Sequence, residues 1–321
     1  DPKSKPNTSF SASLNFGSTG NFQQNLNSSL DEYLTNTFQS NIQWSYNSPR
    51  SPFSLNTSAQ HSQNSVTGLV TMTLPSVTLN MNRRSMSDLF GLERGRAKIL
   101  DDINISYNTR FENLGEISDT ALAAFNLGEL DMENGFKHNV SISSSKNLGF
   151  LTFSPSFRYD EYTAFNQIDK QLIYDSEGLI TEDVDTLGGF YGNRDWSASL
   201  SLNTRFYGMF TFKDKRKIKA IRHVLTPTLS ASYRPERSRI RSLELDTIST
   251  SWNPWEVNRF APNDVRESGA INFTLNQNLE AKVRDRKTDE INKVKIIESL
   301  TTSTGYNFLA DSLHLSDITT T

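Results

Sequence analysis

The run RDWSASLSLNTRFYGMFTF, residues 194–212, separates into two interleaved sets. Every second residue from Trp196 reads Trp, Ala, Leu, Leu, Thr, Phe, Gly, Phe, Phe. The set from Ser197 reads Ser, Ser, Ser, Asn, Arg, Tyr, Met, Thr. Side chains of a strand alternate between the two faces of its sheet, so this period of two makes one face apolar and the other polar. The stretch is long, and no helical pattern beside it offers a cover for the apolar face. A chain built this way needs an apolar solvent on one side of its sheet and water on the other.

The pattern recurs from end to end. The apolar sets are Phe10, Ala12, Leu14 and Phe16; Phe38, Ile42, Trp44 and Tyr46; Phe53, Leu55 and Ala59; Ile103, Ile105, Tyr107 and Phe111; Phe136, Val140 and Ile142. Further along come Leu151, Phe153, Phe157 and Tyr159; Ile221, Leu225, Leu229, Ala231 and Tyr233; Ile271, Phe273, Leu275, Leu279, Ala281 and Val283; Leu300, Tyr306 and Phe308. Between them stand mostly Ser, Asn, Thr, Gln and Arg. Residues 69–82 alternate but change phase at Pro75, which cannot donate a ladder hydrogen bond and is read as a bulge. Pro155 and Pro227 fall inside strand patterns too; all three prolines are read as bulges that set curvature, with places where strands part easily as the alternative. About a dozen strands result, many near the roughly 9–11 residues that cross a bilayer at a tilt. Short helices fit only at 116–127 and 86–92, both in loops.

The links at 47–52, 146–149 and 213–219 are short. Long polar segments fill 113–134, 160–193 and 234–268. Outer-membrane barrels alternate short periplasmic turns with long extracellular loops in this way. The link at 64–68 is shorter, and that at 83–98 longer, than the scheme expects. With the short turns placed at the lower end, Trp44, Tyr46, Phe210 and Phe212 collect there, while Tyr159, Trp196 and Tyr233 collect at the upper end. Aromatic girdles occupy these two levels in membrane barrels. Inside a bilayer every backbone group must find a partner, so the expected fold is all-β: an antiparallel transmembrane β-barrel.

Composition removes other classes. The 321 residues include no cysteine, which excludes disulfides, thiolate metal ligands and thiol nucleophiles. A net charge of −3 supplies no field that would draw nucleic acid. No run of 18 apolar residues exists, so no helix crosses a membrane. His61, His138, His223 and His314 lack metal-ligand spacing, and the first three sit on the apolar set as interfacial side chains. The stretch GLERGR, 91–96, lacks the Gly-Lys-Ser/Thr ending of a phosphate loop. TEDVDT, 181–186, with Asp169 and Asp175 reads as a solvated acidic loop, with a bound divalent cation as the alternative. KDKRKIKAIRH, 213–223, reads as a solvated turn, with lipid phosphates or a partner as the alternative. No catalytic residue, metal ligand or cofactor is expected.

Several of these stretches together carry a family resemblance. TSFSASLNFGSTG, YLTNTFQSNIQWSY, FSLNTSAQHSQN, VTMTLPSVTLNMNR, RDWSASLSLNTRFYGMF, IKAIRHVLTPTLSASYRP and SGAINFTLNQNLEAKV resemble the barrel of the LptD (OstA) family, in the form found in Bacteroidetes-type bacteria. Members are lipopolysaccharide-assembly proteins of the Gram-negative outer membrane. The resemblance lies on strands and short turns, and the long loops carry none of it. It implies one very large barrel surrounded by outer-membrane lipids, preceded by a periplasmic β-jellyroll. It also implies lipopolysaccharide as cargo, a periplasmic LptA-like bridge that delivers it, an LptE-like lipoprotein plug in the lumen, and no covalent chemistry. On this reading residues 1–321 are part of a single barrel domain, with the jellyroll and remaining strands outside the chain.

The lumen wall would then be Asn104, Ser106, Asn108, Arg110, Ser141, Ser143, Ser154, Ser156, Arg158, Ser199, Ser201, Asn203, Arg205, Asn272, Thr274 and Asn276. The three arginines would meet phosphate or carboxylate groups of the cargo, or acidic partners. Two other readings stand beside it: a self-contained outer-membrane pore or barrel enzyme of about a dozen strands, and a soluble or fibrous β structural protein.

Overall fold

A computed structural model describes residues 5–15, 37–64, 67–96, 98–124, 126, 128, 130–213, 216–285 and 290–321. The strands are β1 (Thr8–Ser13), β2 (Thr37–Asn47), β3 (Phe53–Asn64), β4 (Leu69–Ser85), β5 (Ile103–Ser118), β6 (Asp131–Ser144), β7 (Lys146–Leu148) and β8 (Leu151–Tyr174). They continue as β9 (Ile180–Thr204), β10 (Phe206–Thr211), β11 (Ile218–Arg234), β12 (Arg241–Leu245), β13 (Ile248–Trp252), β14 (Ser268–Arg284), β15 (Ile291–Asn307) and β16 (Thr319–Thr320). Among the described residues three short helices, α1 (Met86–Leu89), α2 (Lys98–Asp102) and α3 (Asp119–Ala123), sit in links. Phe16 and residues 34–36, assigned above to strands, lie outside the described residues, as do Asp214 and Lys215 of the basic run.

The fold is all-β and antiparallel. One sheet follows the chain in the order β1-β2-β3-β4-β5-β6-β8-β9-β11-β14-β15-β16, with β7 and β10 attached to β8 and β11. The path is open: β1 and β16 each have one neighbour among the described strands. The register climbs steadily. One row of opposed residues runs Phe53–Met81–Tyr107–Val140–Tyr159–Trp196. It starts at the first residue of β3 and reaches the middle of β9. This stagger is the strand tilt that a curved, barrel-type sheet requires.

The three prolines act differently from one another. At Pro75 the ladders on both sides of β4 slip, between Ser58 and Gln60 of β3 and between Thr73 and Ser76 of β4. The expected bulge is there. Pro155 and Pro227 are not bulges. Pro155 keeps its place opposite Leu200, and Pro227 opposite Leu275. Each lies across from the point where a neighbouring strand breaks, between β6 and β7 or between β9 and β10. The register is the same on either side of each break. One missing N–H removes one rung and divides the neighbour without displacing it.

The segment 160–193 differs most from the sequence reading. It is a long β-hairpin, not a loop. β8 has 24 residues and β9 has 25, paired from Leu151–Thr204 to Tyr174–Ile180. At about 3.3 Å per residue β8 is about 80 Å long, far more than the roughly 30 Å of a bilayer core. The apolar face explains the misreading. Phe153–Leu202, Pro155–Leu200, Phe157–Ala198 and Tyr159–Trp196 form an apolar band, and the next pair is Glu161–Arg194. The oily alternation stops at Tyr159 while the backbone ladder continues.

Candidate functional site

Opposed residues in an antiparallel ladder share a face, so the register assigns every side chain to one of two surfaces. On β2 and β3 one surface is polar at every pair: Asn47–Ser54, Ser45–Asn56, Gln43–Ser58, Asn41–Gln60, Gln39–Ser62 and Thr37–Asn64. The same surface continues through Asn80–Asn108, Ser106–Ser141, Asn104–Ser143, Ser141–Arg158 and Ser143–Ser156. It goes on through Ser156–Ser199, Ser154–Ser201, Ser201–Ser230, Asn203–Thr228, Ser230–Asn272, Thr228–Thr274 and Thr226–Asn276. Arg110 opposes Lys137 on it. Arg205 stands in the break between β9 and β10, in phase with this set. All sixteen residues singled out from the sequence therefore lie on one continuous face.

Hydrogen bonds run across the strands on this face. Ser156 Oγ and Ser199 Oγ are 2.6 Å apart, Asn203 Nδ2 donates to Thr228 Oγ1 at 2.8 Å, and Thr301 Oγ1 donates to Asn276 Oδ1 at 2.6 Å. Such cross-strand pairs contribute roughly 0.2–1 kcal/mol each. Two of the three arginines are already engaged. Arg110 pairs with Glu112, and Arg158 donates from Nε and Nη2 to Asp160 at 2.8 and 3.2 Å. Among the described residues Arg205 reaches only the Tyr207 hydroxyl, at 3.4 Å.

The opposite face carries the aromatics. Trp44 and Tyr46 stack at 6.4 Å near the lower end of β2. Phe210 lies on β10, and Phe212 just beyond it has the Arg216 guanidinium 5.7 Å from its ring centre. Trp196 lies 5.8 Å from Tyr233 and 6.0 Å from Phe157, and opposes Tyr159. Tyr159 and Trp196 mark the edge of the apolar band and not strand ends, because β8 and β9 continue past them. Ile42, Trp44, Tyr46, Phe53, Phe157, Leu229, Ile271 and Phe273 are each 38–43% exposed. Only at its upper rim is this face covered among the described residues: Ala121 and Leu122 of α3, with Leu130, pack over Val70 and Ile117, which are buried.

The chain also buries side chains at the upper end of the polar face, among them Asp195, Arg239, Trp252 and Trp255. The segment between β11 and β14, residues 235–267, turns back onto it. Arg237 and Val265 close the base of the segment with paired backbone hydrogen bonds of 2.9 and 3.0 Å. Arg239, 6% exposed, donates to Asp195 Oδ1 at 2.5 Å and to Asn193 Oδ1 at 3.3 Å, while its backbone N–H donates to Asp264. Ile168 N–H donates to Pro254 O at 3.0 Å, and Trp252 Nε1 donates to Ile168 O at 3.3 Å. Arg259 Nε donates to Glu112 Oε2 at 2.5 Å, and Glu112 is 2% exposed. Asp195 and Glu112 both belong to the polar face, through Asp160 and Gly135. A Cβ built on Gly135, on this face, would lie 3.6 Å from the Phe260 ring.

The sequence reading took 234–268 for an outward loop. Its overlooked signal is the aromatic content of SWNPWEVNRF within a polar stretch: Trp252 and Trp255 are buried. The hairpin β12–β13 lies beside the upper β8–β9 arm, with Thr250 donating to Glu182 and Tyr174 to Asp246 at 2.6 Å. The Thr250 hydroxyl, and then Lys170, hold the Glu182 carboxyl below its ordinary range. The Asp246 hydrogen bond pushes the Tyr174 phenol up. The acidic residues of this arm belong to its strands. Asp169 opposes Asp185 and accepts from Arg241 at 3.4 Å, and Asp175 caps its own turn through the N–H groups of Glu177 and Leu179.

The lower end is built differently. Arg94 holds the Asp88 carboxyl low at the start of the α1–α2 link, through hydrogen bonds of 2.9 and 3.2 Å. On the polar face of β11, β14 and β15, Arg222 pairs with Glu280 at 2.9 Å and Lys295 with Glu298. Beside them Lys282 and Lys293 stand directly opposite each other.

The chain has been compared with known proteins. A family model described as LptD protein matches residues 1–321. No curated protein matches. Among solved structures, the outer membrane transporter YddB from Escherichia coli is similar at 10% identity and a TM-score of 0.26, over 84% of this chain and 38% of that one. The chain thus spans well under two thirds of that structure's length.

Proposed function

The chain belongs to the LptD protein family, and from that premise we propose that it forms part of the wall of an outer-membrane barrel that moves lipopolysaccharide to the outer leaflet. The polar face lines the lumen and passes the saccharide portion. The apolar face meets lipid. No covalent step is assigned to the chain. Its barrel is continued by further strands at both open edges, and its partners are a lumenal LptE-like lipoprotein and a periplasmic LptA-like bridge.

The observation that carries this reading is the unbroken two-sidedness of the sheet. The Ser/Asn/Thr face persists from β2 to β15, and below its covered upper rim the opposed face presents exposed apolar side chains such as Ile42, Trp44, Phe157, Leu229 and Phe273. Ser and Asn hydroxyls and amides bind sugar hydroxyls weakly and reversibly, which suits passage better than retention.

Single cysteines placed by Ser201→Cys and Leu202→Cys in the full-length outer-membrane protein test the assignment of faces. A membrane-impermeant maleimide should label position 201 and spare position 202, and a lipid-soluble maleimide should do the reverse. The opposite pattern would sink the reading.

A further inference from the structure

Charge on the lower rim of the polar face is left uncompensated. Lys282 and Lys293 are exposed and directly opposed across β14 and β15, a geometry that holds like charges about 5 Å apart at Cβ and costs stability. Neither lysine has an ion pair among the described residues. Glu280 and Glu298, the carboxylates higher on the same ladder, are already committed to Arg222 and Lys295. A cavity of about 160 Å³ opens between these strands, lined by Met209, Ala220, Arg222, Glu280, Lys282 and Lys293 among others. Lys282 is in register with Ala220, and Arg222 with Glu280, so these residues share the phase of the Ser/Asn face. Their charges point away from the lipid-facing set.

We propose that Lys282 and Lys293, with Arg222 at the edge, form an anion-recognition site for phosphate groups carried by a saccharide that moves along the polar face. The inference rests on the lumen assignment above. A dianionic phosphate placed between the two ammonium groups would relieve their repulsion and accept charge-assisted hydrogen bonds from both. Glu280 opposes Lys295 as well as Arg222 in register, which limits the anion to the open side of the cavity. Phospholipid headgroups carry the same chemistry, but they would have to approach from the side that these lysines do not face.

The test uses the detergent-solubilised full-length protein and a soluble phosphorylated oligosaccharide, with its enzymatically dephosphorylated counterpart as control. Calorimetry should show binding of the phosphorylated sugar that weakens with added salt. Affinity for the dephosphorylated sugar should be about tenfold lower or worse. The double variant K282Q/K293Q should lose the same factor, and K282R/K293R should keep most of it. Heat-dependent gel mobility checks that each variant remains folded. Equal binding by K282Q/K293Q, or equal binding of the two sugars, would overturn the proposal.

In nanodiscs containing phosphatidylglycerol, glutamine variants that lose retained lipid but bind sugar normally would assign the site to headgroups and also overturn it. The labelling at positions 201 and 202 separates the two failures. If 201 is wet and the lysine variants bind normally, only the anion site is wrong; if 201 is in lipid, the lumen reading itself has failed.

Discussion

The two ends of the polar face treat charge in opposite ways. At the upper end the segment 235–267 brings Arg239 and Arg259 down onto Asp195 and Glu112, and three of these four side chains are buried. At the lower end Lys282 and Lys293 are exposed and opposed, with no ion pair of their own among the described residues. A buried ion pair derives its geometric precision from the cost of separating it, whereas an exposed like-charge pair is unstable until something joins it. One end is arranged to stay closed and the other to accept a visitor.

The largest effect should come from breaking the buried pair. Asp195→Asn leaves the Arg239 guanidinium, 2% exposed at its side chain, without a carboxylate, and such losses cost about 3–5 kcal/mol. Hydrogen exchange and protease cleavage within 235–267 should rise sharply while the barrel keeps its gel mobility. Unchanged protection would mean that Asp195 does not hold the segment. Glu112→Gln should cost less, about 1–3 kcal/mol, because Arg259 is 38% exposed and can find water. Its loosening should centre on residues 258–260.

At the other end the sign should reverse. Lys293→Glu turns a repelling pair into an attracting one, so the midpoint of thermal unfolding should rise, with a gain below about 1 kcal/mol. A fall would show that the lysines do not repel in the folded sheet.

The smallest effect concerns pH at the upper arm. The folded Glu182 carboxyl titrates below its ordinary value of 4.5. Its contribution is therefore complete above 4.5 and disappears as pH falls through the lowered value. Exchange of the β12–β13 amides should speed up in that acidic window and stay flat above it, and Glu182→Gln should remove the dependence.

Most of the sheet was legible from alternation alone, because the period of two survives wherever lipid or water takes one face consistently. The sixteen polar-face residues needed nothing beyond phase. Alternation failed where the environment changed and the backbone did not. Past Glu161 and Arg194 lipid no longer takes one face of the β8–β9 arm, and residues 235–267 cover part of the other, burying Ala164 and Ile168, so the strands lost their pattern without losing their hydrogen bonds. It failed again at 235–267, whose inward turn depends on Arg239 and Arg259 meeting carboxylates 44 and 147 positions away in the chain. Pro155 and Pro227 were visible as prolines, but whether a missing N–H shifts a strand or only divides its neighbour depends on that neighbour.

Those two prolines have a consequence for assembly. Pro155 weakens the seam between β8 and its neighbour on one side, and Pro227 weakens the seam beside β9 on the other. The β8–β9 hairpin between them closes through a tight turn at 175–179 and zips through the longest ladder among the described residues. Local closure is fast and each later pair adds to a formed edge. The hairpin is thus the natural nucleus of the sheet, from which strands accrete outward in chain order on both flanks. In pulse-labelled refolding its amides should be the first to become protected.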